Sequence, residues 1–211
     1  MKAIRHNAYD SDHMTMDAFG FTAGLPIRSH PFEAGDSVFR SGGRVTRMFF
    51  VSEGLVHLLR PLESGTSAIM QVARRGAWLA EASLFSSRYH CDARSAGESV
   101  LLSVSKAELI TRLASNADQA MGLARWMALH LRELRQLHEI VRVRSAKARV
   151  LRWLEWKSEA SGDHLTLERT WSEVADELAL TREALYRVLA DLKRMGKIRV
   201  DGRSVTLIRR R

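Results

Sequence analysis

Residues 170–208 read TWSEVADELALTREALYRVLADLKRMGKIRVDGRSVTLI, and the order of signals in this stretch decides how the rest of the chain is understood. Thr170 followed by Glu173 is a capping box, in which the hydroxyl accepts from the backbone three residues on and the carboxylate reaches back. The helix it opens carries Val174, Ala175 and Leu178 along one side. The triplet ALT interrupts the pattern. Thr181 then starts a second helix, with Glu183 in its first turn, where the helix dipole favours a carboxylate. At about 100° per residue from Arg182, the residues Ala184, Leu185, Val188, Leu189 and Leu192 fall between about 200° and 340°. Glu183, Tyr186, Arg187, Lys193 and Arg194 fall between about 20° and 140°. One face is apolar and the other holds guanidinium groups outward. Beyond this helix, KIRVDGRSVTLI places Asp-Gly between two alternating segments, which predicts a hairpin turning at that pair.

An α-helix fits the major groove of DNA, and the residues of its first turns reach the base edges. Arginine donors suit guanine O6 and N7, while Glu183 either accepts from cytosine N4 or holds Arg187 in place. The hairpin would be a wing whose Lys197, Arg199 and Arg203 touch phosphates. A solvated charged face would account for the charges, but not for two capped helices, a short turn and a basic hairpin in this order. The expected DNA-contacting set is Thr170, Thr181, Arg182, Glu183, Tyr186, Arg187, Lys193, Lys197 and Arg203. Charge agrees: residues 142–211 hold 17 Lys and Arg against 10 Asp and Glu, whereas residues 1–141 hold 16 against 14. A basic third on a near-neutral body suits a polyanion.

Upstream the pattern changes twice. From about Phe32 to Ser105, short apolar or alternating runs (SVFR, RMFFVSEGLVHLL, SAIMQVA, SVLLSVS) are separated by glycine turns at EAGD, SGG, ESG, RRG and SAG, which predicts a β-sandwich or barrel. From Lys106 the period becomes helical. Ser105, with Glu108 three residues on, caps a first helix, and Asn116 or Ser115 starts a longer one. Leu123, Met127, Leu131, Leu134 and Val141 make a stripe on it, bordered by Leu137 and His138. That helix would run about 38 Å, long for one lying on a small domain, and the stripe reads as a seam joining two copies. The next helix carries Val150, Leu151, Trp153 and Leu154 inward and ends near Ser161–Gly162. Trp153, Trp156 and Trp171 make the core that joins it to the C-terminal module. The step between them, at Val143–Ala146, is the expected hinge.

The bulk properties set limits. The chain has 211 residues, 45% of them hydrophobic, with no apolar run near the ~20 residues a membrane span needs. Its start has no apolar segment of signal-peptide type, so a cytoplasmic protein is expected. The only cysteine is Cys91, which leaves neither an intrachain disulfide nor an iron–sulfur cluster held within one chain.

The order of β-roll, long helix and winged helix-turn-helix resembles the cyclic-AMP receptor protein/fumarate–nitrate regulator (CRP/FNR) family of bacterial transcription regulators, from about Gly20 to Ile208. LTREALYRVLADLKRMGKI is similar to that family's recognition helix, which implies Arg182, Glu183 and Arg187 as the base-reading trio. FEAGDSVFRSGGRVTRMFFVSEGLVHLL and RRGAWLAEASLF are similar to its β-roll segments. The resemblance implies an α+β fold: a cyclic-nucleotide-binding-like β-roll (double-stranded β-helix) over 1–110, a dimerisation helix and hinge over 111–143, and a winged helix-turn-helix over 144–211. It implies a homodimer on a near-palindromic operator, RNA polymerase as a further partner, and no enzymatic activity.

The departures concern the effector. Cyclic-nucleotide binders of the family use Gly-Glu for the ribose and, ten residues on, Arg followed by Ser or Thr for the phosphate. Here Ala80 precedes Glu81, and Cys91 and Asp92 stand at the phosphate positions, where a carboxylate repels a phosphate. Arg88 and Arg94 are shifted by three residues, to the other strand face. Leu131 and Arg132 replace the polar pair that meets the adenine. The residues argue against cyclic AMP and name no other effector. The candidate effector pocket is Glu81, Ala82, Arg88, Cys91, Asp92, Met127 and Leu131, filled in the absence of a ligand by side chains such as Trp78, Phe85 and Met70. Two alternatives stay open. One is a haem-based gas or redox sensor, using Tyr89-His90-Cys91 with His57, His130 or Met127. The other is a small-molecule enzyme on a cupin-like barrel, for which His57, His90 and Glu81 are too widely spaced to suggest a metal site. His130 and His138, eight residues apart, read as solvated helix-border residues.

Overall fold

The structure is a computed structural model that describes residues 20–62, 66–79, 81–167 and 169–209. Ala80 and residues 63–65, where a glycine turn is expected from the sequence, lie outside the described residues. Contacts divide the chain into two compact units that meet between Trp126 and Met127, inside the long helix and before the 143/144 step.

The N-terminal unit is built from eight antiparallel strands: β1 (Arg28–Phe32), β2 (Ser37–Phe39), β3 (Arg47–Glu53), β4 (Leu55–Pro61), β5 (Ser67–Arg74), β6 (Trp78–Leu79), β7 (Asp92–Ser95) and β8 (Ser99–Ser105). They form two four-stranded sheets of order β1-β8-β3-β6 and β2-β7-β4-β5. Except for the β4–β5 hairpin, which stays within one sheet, consecutive strands alternate between the sheets, so the chain winds as a roll with its apolar side chains between the layers. Met48, Phe49, Phe50 and Val51 of β3 are all buried, and Phe39 stacks on Tyr89 with ring centroids 4.0 Å apart. Pro31 pairs with Val100 in β1, an edge strand, where a missing N–H is tolerated.

Two helices follow, α1 (Lys106–Ser115) and α2 (Ala117–Val141). Both starts are as expected: Ser105 Oγ accepts from Glu108 N at 3.4 Å and Asn116 Oδ1 from Gln119 N at 3.0 Å. Leu123 and Trp126 of α2 close the core of the roll, with Trp126 6.0 Å and Trp78 5.3 Å from the Phe21 ring. This corrects the expected seam. Leu123 lies at the edge of the stripe nearest Trp126 and is buried in its own unit, while Met127, Leu131 and Leu134 are 38, 47 and 52% exposed and Val141 is half-buried.

One polar network in this unit makes a pH prediction. Ser103 Oγ lies 2.7 Å from both Arg47 Nε and His30 Nε2. The arginine can only donate, so the hydroxyl accepts from it, and its own proton is left free to turn toward the imidazole. Burial first, then the charges of Arg47 and Arg28, hold the His30 pKa below its ordinary 6.5. As pH falls from about 6.5, the unfolded chain takes up this proton before the folded one does, so stability declines over that window and levels off below the folded value. Denaturant midpoints measured from pH 7.5 down to 5 should show this decline, and His30→Gln should flatten it. An unchanged profile in the variant would remove His30 as the cause.

The C-terminal unit contains α3 (Ala146–Ser158), β9 (His164–Thr166), α4 (Trp171–Glu177), α5 (Arg182–Arg194), β10 (Ile198–Asp201) and β11 (Ser204–Leu207). Its core joins Ile140 to Val150, Trp153 and Leu154 of α3, Val174 and Leu178 around α4, and the inner face of α5. Trp156 and Trp171 pack against it. Two features differ from the sequence reading. The hairpin loop is Gly202-Arg203, because Asp201 pairs with Ser204; glycine takes the first loop position at φ 55°, where a positive φ costs it nothing. The wing also has a third strand, with β9 pairing β11 through Leu165 and Val205.

Candidate nucleic-acid interface

The helix-turn-helix is held by local hydrogen bonds at each joint. Thr170 N donates to Glu173 Oε2 at 2.8 Å while Glu173 N donates to Thr170 Oγ1 at 3.4 Å, the reciprocal box expected there. Helix α4 ends at Leu178, and Ala179 takes a left-handed φ of 50°, a conformation that usually falls to glycine. Thr181 Oγ1 then accepts from Ala184 N at 3.1 Å to open α5. The helix buries Leu185, Val188, Leu189 and Leu192 and exposes Arg182, Glu183, Tyr186, Arg187, Ala190, Lys193 and Arg194. The wheel reading therefore holds, except that Ala184, expected inward, is only half-buried. Ala190 sits in the middle of the outer face and leaves it without a bulky side chain there.

Glu183 is fully ionised at neutral pH: its own backbone N–H and then the Thr181 hydroxyl hold its carboxyl below the ordinary range, with smaller help from Arg182 and Arg187. The carboxylate is thus first engaged at the helix start, and less with Arg187. Arg194 pairs with Asp191 at 2.6 Å, which turns it along the helix. Thr170, Thr181, Lys193, Lys197, Arg199 and Arg203 are exposed, the last in the wing loop.

In the N-terminal unit, Leu58, Met70, Gln71, Glu81, Ala82, His90 and Cys91 line a cavity of about 90 Å³. Of the expected pocket, Glu81, Ala82 and Cys91 are there. Arg88 is not: Nη1 donates to Gly42 O at 2.5 Å and the residue bridges to Arg44. Asp92 is not either, since its Oδ1 accepts from Ser41 N at 2.7 Å. Met127 and Leu131 stand exposed on α2 and are absent from the lining. Phe85, expected to fill the space, is 76% exposed, and Trp78 is in the core against Phe50. His90 Nδ1 lies 2.8 Å from Ser83 Oγ. Cys91 is buried, and burial, then the carboxylates of Glu81 and Asp92, push its thiol pKa up.

Comparison with known proteins joins the two units. The sequence model of the cyclic nucleotide-binding domain matches residues 29–116, and that of the Crp-like helix-turn-helix domain matches residues 148–211. The chain belongs to the CRP/FNR family. It is 21% identical over 210 residues to the anaerobic regulatory protein of Bacillus subtilis, covering 96% of this chain and 88% of that one. It is 23% identical over 184 residues to the transcriptional regulator LdrP of Thermus thermophilus, covering 84% and 90%. The structure of FixK2 from Bradyrhizobium japonicum superposes with a TM-score of 0.64 at 19% identity, covering 88% of this chain and 94% of that one, which establishes the fold. The chain is a CRP/FNR-type transcription regulator with a DNA-binding helix-turn-helix and a cyclic-nucleotide-binding-like domain.

Within that family, the residues of this cavity do not fit a cyclic nucleotide. Among the described residues the lining has no Lys or Arg to pair with a phosphate, the thiol at the phosphate position stays protonated, and Asp92 is committed to Ser41. The one cation among the causes acting on the thiol is Arg60, and its effect is the smallest of them. The volume lies below the ~300 Å³ at which small-molecule pockets begin. Among the described residues, no three His, Cys, Asp or Glu side chains are grouped to hold a metal ion, and no helix is long and apolar enough to cross a membrane. Sequence reasoning missed Leu58 and Gln71 as lining residues. Only the β4–β5 register, with its bulge at Leu58/Leu59, places them.

Proposed function

We propose that this regulator acts in the cytoplasm as a homodimer that reads a near-palindromic duplex site, with Arg182, Glu183, Tyr186 and Arg187 at the base edges and Lys197 and Arg203 on the backbone, and that it does so without responding to cyclic AMP. The observation that carries the reading is the outer face of α5, where a buried apolar side holds Arg182 and Arg187 in solvent beside an ionised Glu183. Two such helices in successive major grooves lie about 34 Å apart. The exposed Met127, Leu131 and Leu134 of α2 support a dimer. The cavity chemistry supports an effector other than cyclic AMP, or none. RNA polymerase is the expected protein partner of the bound dimer.

The test is a pair of substitutions against a duplex selected from a random library by the purified protein. Arg182→Ala should reduce discrimination at one base pair by about 1–3 kcal/mol, relaxing specificity there. Lys197→Ala should weaken binding evenly across sequences and lower the salt slope by about one contact. If the two variants behave alike, the division between base and backbone contacts is wrong.

A further inference from the structure

One buried-edge cation of the C-terminal unit has no place in the surface described above. Arg149 lies in the second turn of α3 and is half-buried. Its Nε and Nη2 donate to Val143 O at 3.1 and 2.9 Å, and its Nη1 donates to Leu178 O at 2.7 Å and Ala179 O at 3.1 Å. Val143 lies in the segment between α2 and α3. Leu178 and Ala179 are the turn between α4 and α5. A single guanidinium therefore ties the end of the long helix to the joint of the helix-turn-helix.

The chemistry requires arginine. Carbonyls at and just beyond helix C-termini lack intrahelical partners, and here two such ends face one side chain. The planar fork presents donors in two fixed directions at once, whereas a lysine ammonium is a point charge that can satisfy one end well. Ala179 adds a reason for the tie: a non-glycine residue at φ 50° persists only where its surroundings hold it.

We infer that Arg149 is a positioning residue for operator reading: it fixes the offset between the C-terminal half of α2 and α5, and so sets the half-site spacing that two copies joined along α2 can read. The inference rests on the dimeric DNA-reading function proposed above. Arg149 itself touches no DNA in this scheme.

The experiment uses the full chain, with the duplex selected by the wild-type protein rebuilt as a series whose half-sites are one base pair closer, unchanged, or one base pair further apart. Affinity, its salt dependence and the thermal midpoint are measured for wild type, Arg149→Lys and Arg149→Met. Wild type is expected to prefer one spacing sharply. In both variants that preference should fall by about tenfold, the scale of lost hydrogen bonds to a charged donor, while the salt slope stays unchanged. If Arg149→Met fails to fold, Arg149→Lys in an Ala179→Gly background, where the turn no longer needs holding, gives the same reading. A variant with a lower thermal midpoint but the wild-type spacing preference would make Arg149 a stabilising residue only and overturn the inference. A salt slope that falls with Met and recovers with Lys would make it a phosphate contact, which also overturns it. A wild-type protein indifferent to spacing would overturn the dimeric reading and this inference with it.

Discussion

Replacing Leu131 and Leu134 together with aspartate is expected to separate the protein into monomers and to lower operator affinity by about 10²–10⁴-fold, because each half-site is then bound without the effective concentration that linkage supplies. The two leucines are 47 and 52% exposed on α2, with Met127 one turn before Leu131 at 38%. Wheel positions place them within about 60° of one another on one side of the helix, about 80–180° away from the buried Trp126 and Ile140. Leaving three large apolar side chains in a row in water forfeits their transfer free energy, which burial against a second copy recovers. Aspartates there would face their own copies across the two-fold axis and repel. Since the leucines make no part of either core, the double variant should keep its helical circular dichroism as a monomer, with a thermal midpoint lowered only by the lost dimer linkage. Leu123→Asp should behave differently: it places a charge in the core of the roll and should unfold the N-terminal unit. Sedimentation velocity and affinity for whole and half operators check both. A double variant that still sediments as a dimer, with unaltered affinity, would place the interface elsewhere.

The contrast between these leucines and Leu123 marks what the amino-acid order made legible. Features fixed within one turn of helix were read directly. Ser105, Thr170 and Thr181 each cap the helix assigned to them, because a cap needs only its own side chain and the next three residues. The two faces of α5 were legible for the same reason. Features that depend on which strand lies beside which were not. Arg88 and Asp92 share a segment with Cys91, but pairing to the 41–44 loop draws both away from the cavity. Leu123 fits the seam by spacing and is claimed instead by the core of the roll, built from residues far off in sequence such as Phe21 and Trp78. The wing loop slipped by one residue because Asp-Gly and Gly-Arg are both competent turns, and pairing with Ser204 decided between them. Strand β9, three residues long, carries too few positions for alternation to show.

Gly54→Ala is expected to destabilise the N-terminal unit by about 3 kcal/mol or more, combining a left-handed backbone, overpacking and a disturbed buried hydroxyl pair. Gly54 joins β3 to β4 at φ 88°. A Cβ built there would lie 2.2 Å from Ser99 Oγ, 2.5 Å from Glu98 O and 2.6 Å from Ser99 Cα. Two of these three are backbone atoms of the start of β8, the strand between β1 and β3, so no side-chain rotation relieves them. Ser99 Oγ itself accepts from Leu55 N at 3.1 Å and from Ser95 Oγ at 2.8 Å, and both serines are buried. Relief by moving β8 would therefore break the tie that aligns β4 with β7 and β8. Gly42 supplies the control. It has φ 78° and nothing within 4 Å of its Cβ position, so Gly42→Ala should cost only the conformational penalty of about 1–2 kcal/mol. Denaturant midpoints of the two variants separate the contributions: equal losses would show that the close approach to Ser99 contributes nothing. Because β4 also supplies Leu58 to the cavity wall, a Gly54 variant that folds at low temperature should alter the environment of Cys91 while leaving the α5 surface, in the other unit, as it was.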